Sequence, residues 1–413
     1  MRIMIQLNTM KRMIFICGIV ILSPAVHLIG YAQDLNKKTQ KNIQTYDPNS
    51  SIAINYGNWS TLLRATVTRA RMSSRIYAQK ANAGIGSKIN NSNSNPTRME
   101  ASRVFYHYIN DEELEYIHDL RLGMEALPTA IPLQNLNRDE QLAYWLNLYN
   151  ITVYELVAKN YPIRSLKKLH GPGRKKSSVF EDKILNINGI DMSLNEIRNK
   201  IILEIWPNPL VLYGMYQGTI GGPNLRRSAF TGKRVYEQLE DNAEEFVNSL
   251  RGIRFQGKEA HVSEIYKWNK GMFPDFDKDL RRHLTKYLGY DLVVKLKSSR
   301  KIKAKIYDWH TADVLNGGQP AANSAASTNP VALVMQQGTI EDSGGIAGVG
   351  GSVGLFSGGS HGEKARETAS IRAKMPAEAA VFLQQFIERN RQLRGGNVTI
   401  EEVDKKDLKQ DQK

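Results

Sequence analysis

Apolar and polar positions follow a helical period most clearly between Asn137 and Lys159. Leu142, Trp145, Leu146, Tyr149, Val153, Leu156 and Val157 recur at three- and four-residue steps, which stacks them on one face of a 3.6-residue helix. Asn137 stands where a capping side chain accepts from the first turn, and Glu140, three residues on, completes a capping-box pattern. Beside that stripe, Asn147 and Asn150 are surface neighbours, with Tyr154 one turn beyond. An amide near a buried face needs a partner or costs roughly 1–3 kcal/mol. The helix is therefore expected to hold neighbouring backbone in place, or else to line a polar site.

Similar patterning predicts the other elements. Trp59, Leu62, Leu63, Val67, Met72 and Ile76 suggest helix within Ile52 to Ala81, followed by an Asn/Ser/Gly-rich loop from Asn82 to Thr97. The aromatic run Arg103 to Ile109 reads as a short strand. Asn110 with Glu113 opens a capping-box helix through Leu127, which Pro128 and Pro132 end. Tyr161-Pro162 stops the central helix. Val179 to Ile190 suggests two short strands around a turn, and Ser193 with Glu196 starts a helix to Ile205. Pro207 to Gln217 reads as a buried strand and Gly218 to Asn224 as a turn. Helix follows over Val235 to Leu250, with shorter helical pieces at His261 to Trp268 and Leu280 to Tyr290. Leu292 to Ile306 reads as strand. The expected fold is α+β: a helix-rich globular domain over 51–316 with a small, mostly antiparallel sheet. A Gly/Ser/Ala-rich linker (317–375), an amphipathic helix (376–394) and a charged, frayed tail (395–413) follow.

The first 32 residues change the picture. Arg2, Lys11 and Arg12 precede the apolar run Met13 to Leu22, and Gly30-Tyr31-Ala32 is a small-x-small cleavage pattern before Gln33. The run is interrupted by Pro24 and His27 and is short for a membrane span of about 20 residues. The expectation is a cleaved signal peptide, a polar leader over 33–50, and a secreted or periplasmic protein. The chain's single cysteine, Cys17, lies inside that signal. Cleavage would leave a chain without thiols, excluding disulfides, a cysteine nucleophile and cysteine metal ligands. Lys and Arg number 56 against 41 Asp and Glu, a formal charge of +15. The excess is spread along the chain, and only Lys295 to Lys305 is dense, so nucleic-acid binding is not expected.

Several segments match a known family in order. They are Tyr56-Gly-Asn-Trp59 with Leu62-Leu63, Gln141-Leu-Ala-Tyr-Trp-Leu-Asn147-Leu-Tyr149-Asn150, and Tyr161-Pro162-Ile-Arg-Ser165-Leu166. Next come Gly189, Ser193-Leu194 with Glu196-Ile197, the stretch Val211 to Leu225, Asp275-Phe276 and Tyr307-Asp308-Trp309. Over about Ser51 to Asn316 the chain resembles the domain-of-unknown-function 547 family. The family's usual form carries a His-Phe-Ala-Leu-Asn-Cys-Gly segment and then Ser-Cys-Pro, and a Cys near a His in a turn is a plausible activated nucleophile. Here the His position holds Leu212, and the two Cys positions hold Gln217 and Gly222. Gly218 and Pro223 persist. If the family acts through that thiol, the resemblance implies an inactive member.

The remaining chemistry is sparse. The histidines form no H-x-x-x-H or H-E-x-x-H spacing, so neither a metal nor another cofactor is expected. Gly344 to Gly359 lacks both G-x-G-x-x-G and a P-loop ending and reads as linker. The helix Ala377 to Arg394 is expected to pack on the domain or pair with another envelope protein rather than lie on lipid. Candidate site residues are Asn147, Asn150, Gln217, Asp308 and His310, with Asp308, His310 and Asn147 pictured together near the Gln217 turn. The leading expectation is an exported, noncatalytic binding or scaffold protein. The alternative is a hydrolase or transferase using those polar groups without a cysteine.

Overall fold

The computed structural model describes residues 45–70, 72–77, 95–98, 100–170, 178–315 and 317, and the backbone alone of 399–402. The expected signal segment, most of the expected leader and linker, the helix expected at 376–394 and most of the tail lie outside the described residues.

Strand β1 (Ile52–Asn55) leads into helix α1 (Gly57–Thr66), so the helix expected within Ile52 to Ala81 is shorter than its apolar pattern, and Met72 and Ile76 lie beyond it, exposed. Val67 instead forms an isolated antiparallel bridge with Val104. The aromatic run after Arg103 is likewise not a strand: Tyr106–Tyr108 is a 3-10 turn beyond that bridge. Helix α2 (Asp111–Ala130) opens with the expected capping box. It runs on past Pro128, so that proline lies inside the helix rather than ending it.

Helix α3 (Arg138–Lys159) is the predicted central helix, and its apolar stripe is sealed: Trp145 is 0% and Tyr149 2% exposed. Its cap is only half of a box. The Asn137 side chain accepts from Glu140 N, but the Glu140 carboxylate turns away to accept from Ile54 N and Gly232 N, both at 3.1 Å. The first turn of α3 is thereby tied to β1 and to the loop before a later helix.

A short helix, α4 (Lys167–His170), precedes the hairpin of β2 (Leu185–Ile187) and β3 (Ile190–Met192). Its turn, Asn188-Gly189, has both φ angles positive (52° and 78°), the conformation that Asn-Gly adopts in two-residue hairpins. Ser193 and Glu196 form the second predicted capping box. The helix they open, α5, runs through Leu194–Glu196, a π-helical stretch Ile197–Ile202, and Leu203–Ile205.

Pro209–Gly214 is a 3-10 helix, not the expected strand. Asn208 accepts from Leu210 N and Pro209 supplies a fixed φ, so a cap and a proline at the first position decide a run whose period is uninformative. Helix α6 (Val235–Asn248) packs on this segment. Strands β4 (Ile253–Gln256) and β5 (Glu259–Ser263) pair antiparallel, so His261 begins in strand before α7 (Glu264–Trp268). After α8 (Phe276–Tyr287) comes α9 (Tyr290–Ser298), where strand was expected. Leu292 and Leu296, four apart, bury one face of it. Strand β6 (Lys301–Ile306) then pairs parallel to β5. In the tail, β7 (Thr399–Glu402) pairs antiparallel with β1, where fraying was expected. The architecture is α+β: helices around small sheets that pair antiparallel except at β5–β6.

Candidate functional site

The asparagines of α3 bind backbone. Asn147 donates from Nδ2 to Phe230 O (2.8 Å) and accepts at Oδ1 from Phe230 N (2.9 Å), closing both polar groups of one residue. Asn150 does the same for the 3-10 segment, donating to Gly214 O (2.9 Å) and accepting from Tyr216 N (2.8 Å). Both are buried. Asn150 thus sets the backbone immediately before Gln217, while Asn147 is engaged at Phe230 rather than with Asp308 or His310.

The Gln217 turn is held from several sides. His170 donates from Nε2 to Gln217 O (2.7 Å). Ala312 N donates to Gly218 O (2.8 Å), Ile220 N to His310 O (2.9 Å) and Gly221 N to Asp308 O (2.9 Å). Arg251, fully buried over the Phe246 ring and paired with Glu245, donates to Gly222 O. Gly218 has φ +74°, and a Cβ there would lie 2.6 Å from Leu166 and 2.8 Å from Val157, so this position requires glycine on both counts. Position 217 is therefore presented on rigid backbone. Burial lowers the pKa of His170 to about 4, so its ring is neutral near pH 7 and serves as a fixed donor.

A Cβ added at Gly222 would lie 3.2 Å from the Gln217 Cβ. Disulfides need Cβ atoms about 3.5–4.5 Å apart, a few tenths more. The two positions where the resembled family carries cysteine are thus side by side. The double variant Gln217→Cys/Gly222→Cys is expected to oxidise to a disulfide in air, so that thiol titration finds two further thiols only after reduction. Two thiols reacting freely without reductant would show that the turn does not hold these positions together.

Aromatic rings flank the turn. Tyr307 Oη donates to Gln217 Oε1 and stands 2.7 Å from Thr219 Oγ1. The Tyr307, Trp309 and Trp268 rings pack with centroids 4.5–5.6 Å apart, and His170 stacks on Phe180 at 3.9 Å. Trp268 is 40% exposed. Arg198, from the π-helical part of α5, donates to Asn199 Oδ1 (2.7 Å) and Asn269 Oδ1 (2.6 Å). Burial lowers the Arg198 pKa, and the Tyr149 and Tyr307 phenols oppose that shift. Arg198, Trp268 and His170 were not singled out by sequence reasoning. Arg198 sits in an ordinary helical pattern, and only the wide turn and the neighbours from α3 and α7 give it a role.

Asp308 and His310 form a pair. His310 Nδ1 lies 2.6 Å from Asp308 Oδ1, which also accepts from His310 N (3.0 Å). The carboxyl is buried and the imidazole 38% exposed. Leu166 N donates to Trp309 O (3.0 Å) and Thr311 N to Arg164 O (3.1 Å), so Ser165 and His310 are a non-hydrogen-bonded antiparallel pair with side chains on one face. Among the described residues no group of three His, Cys, Asp or Glu side chains could hold a metal ion.

No curated protein and no solved structure matches the chain. One family model does, within the span of the resemblance noted above, and the match takes in Asn147, Asn150, Leu212, Gln217 and Gly222 while leaving Asp308 and His310 outside. Over residues 133–247, then, which carry α3 and the rigid turn, this chain is similar to the family described as Protein of unknown function, DUF547.

Proposed function

We propose that this is an exported, noncatalytic binding protein whose ligand seat is the surface beside the Gln217 turn. One observation carries this reading: three of the five candidate polar groups are committed to other groups of the protein. Asn147 and Asn150 close backbone groups, and Gln217, at the family's thiol position, accepts from Tyr307. Beside that turn the 40% exposed Trp268 ring packs on Tyr307 and Trp309, with amide and guanidinium neighbours, a composition suited to holding a ligand. The signal-like first 32 residues support export to the periplasm or beyond. A scaffold role through the helix at 376–394, with another envelope protein as partner, is a compatible extension.

A thermal-shift screen with cell-wall fragments and peptides tests the binding reading, with Gln217→Cys screened in parallel. A shift that is lost when Trp268 is replaced supports it. A processed chain beginning near Gln33 supports export, whereas an intact chain recovered from the cytosol counts against it.

One arrangement favours a second reading, a hydrolase or transferase. The Asp308–His310 pair orients an exposed imidazole, and the Ser165 hydroxyl shares its face. Labelling of Ser165 by a fluorophosphonate, abolished by His310→Ala, would displace the noncatalytic reading.

A further inference from the structure

Arg198 differs from the more deeply buried arginines. Arg121 pairs with Glu155 and Glu125, Arg251 pairs with Glu245, and Arg103 faces Asp308 and Asp313. Among the described residues the charge of Arg198 has no such answer: its side-chain partners are the amide oxygens of Asn199 and Asn269, and the groups acting on it are the Tyr149 and Tyr307 phenols. A guanidinium withdrawn from water normally meets an acid. This one is instead carried on a π-helical turn, a distortion that recurs at functional sites.

Two further features converge on the same place. Asn269, which accepts from Arg198, directly follows the half-exposed Trp268, whose ring packs on Tyr307 at 4.6 Å. The Gln217 amide oxygen is taken by Tyr307, and no described residue accepts from Gln217 Nε2, which leaves that amide as a second donor beside the rings. The surface beside the Gln217 turn therefore offers a planar cation, an amide donor and the half-exposed Trp268 ring.

We propose that this surface binds an organic carboxylate carried on a ring-shaped body, with Arg198 and Gln217 taking the carboxylate and Trp268 the face of the ring. The proposal rests on the binding reading above and names its ligand class. Guanidinium and carboxylate make two parallel charge-assisted hydrogen bonds, which an ester cannot reproduce. An acidic sugar and an aromatic amino acid both have this chemistry.

The test is calorimetric titration of the full chain with trigalacturonate and its methyl ester, and with N-acetyl-phenylalanine and its amide. At least one of the two acids is expected to bind, and the tighter one identifies the source of the carboxylate. If that is trigalacturonate, the ester binds about tenfold more weakly or worse; if it is N-acetyl-phenylalanine, its amide does so. Arg198→Gln is expected to abolish the preference for acid. Trp268→Ala, at an exposed position, is expected to weaken acid and neutral forms alike. Equal binding of acid and neutral form by the unaltered chain overturns the proposal without any variant having to fold. If that equal binding is still lost in Trp268→Ala, the binding reading survives and only the carboxylate fails. Binding of none of these probes also overturns the proposal, while leaving the wider ligand screen to decide the binding reading.

Discussion

Asn147→Leu is expected to lower the unfolding free energy by about 2–6 kcal/mol. Leucine has nearly the shape of asparagine, so the helix keeps its packing. What is lost is the partner of Phe230 N–H and of Phe230 C=O, two buried groups bonded at 2.9 and 2.8 Å. Each buried group left unpaired costs about 1–3 kcal/mol. Asn150→Leu is expected to act similarly through Gly214 O and Tyr216 N, and also to loosen the approach to Gln217. Urea unfolding reads both effects, as a lower midpoint at unchanged slope. A midpoint for Asn147→Leu indistinguishable from wild type would mean that the α3 asparagines are not backbone clamps, and the alternative of a polar site on that helix would return.

Glu140 gives the second large effect, and it depends on pH. Burial raises its carboxyl to about 7, against the lowering effect of hydrogen bonds from Ile54 N and Gly232 N. The folded pKa lies above the unfolded value, so the folded state holds the proton more tightly. The contribution is complete below about pH 4.5 and is lost as pH rises through about 7. The shift corresponds to something on the order of 3 kcal/mol. Buried His107, His170 and His283, each lowered to about 4, act in the opposite sense, because their burial destabilises the fold as pH falls. The wild-type profile alone therefore mixes both trends. The difference between wild type and Glu140→Gln isolates the carboxyl: the stability advantage of wild type should shrink between pH 5 and pH 8 and then level off. Glutamine also presents an NH2 to one of the two backbone donors, so the variant should be the less stable at pH 5. A difference that stays constant across this range would place the Glu140 pKa near its ordinary value.

These two residues show how far the chain could be read in one dimension. The 3.6-residue stripe on α3 was legible because its burial face repeats locally, and Trp145 and Tyr149 are sealed as that period requires. The pairing of Asn110 with Glu113 and of Ser193 with Glu196 was legible because a capping box closes within four residues. The same pattern misled at Glu140. Its carboxylate meets donors 86 and 92 residues away, a competition that no local spacing records. The segment Pro209–Gly214 and helix α9 were misread for a related reason: a short apolar run looks alike in strand and helix until its neighbours choose.

The candidate site divides in the same way. The sequence pointed to Asn147 and Asn150 beside an apolar stripe, to Gln217 at a position where the resembled family carries cysteine, and to Asp308 and His310 as an acid near a histidine. The family resemblance implied that thiol chemistry is missing from positions 217 and 222, and the helical spacing put two amides beside the apolar face of α3. Only the tertiary structure decided what those groups do. It turned both asparagines onto backbone, set Asp308 against His310, brought Ser165 beside them, and gathered Arg198 and Trp268 around Gln217 from separate elements. The physical reason is range. Helical period and capping are settled by bonds within a turn or two of the chain, whereas a buried hydrogen bond or an uncompensated charge is settled by whichever distant segment packs against it.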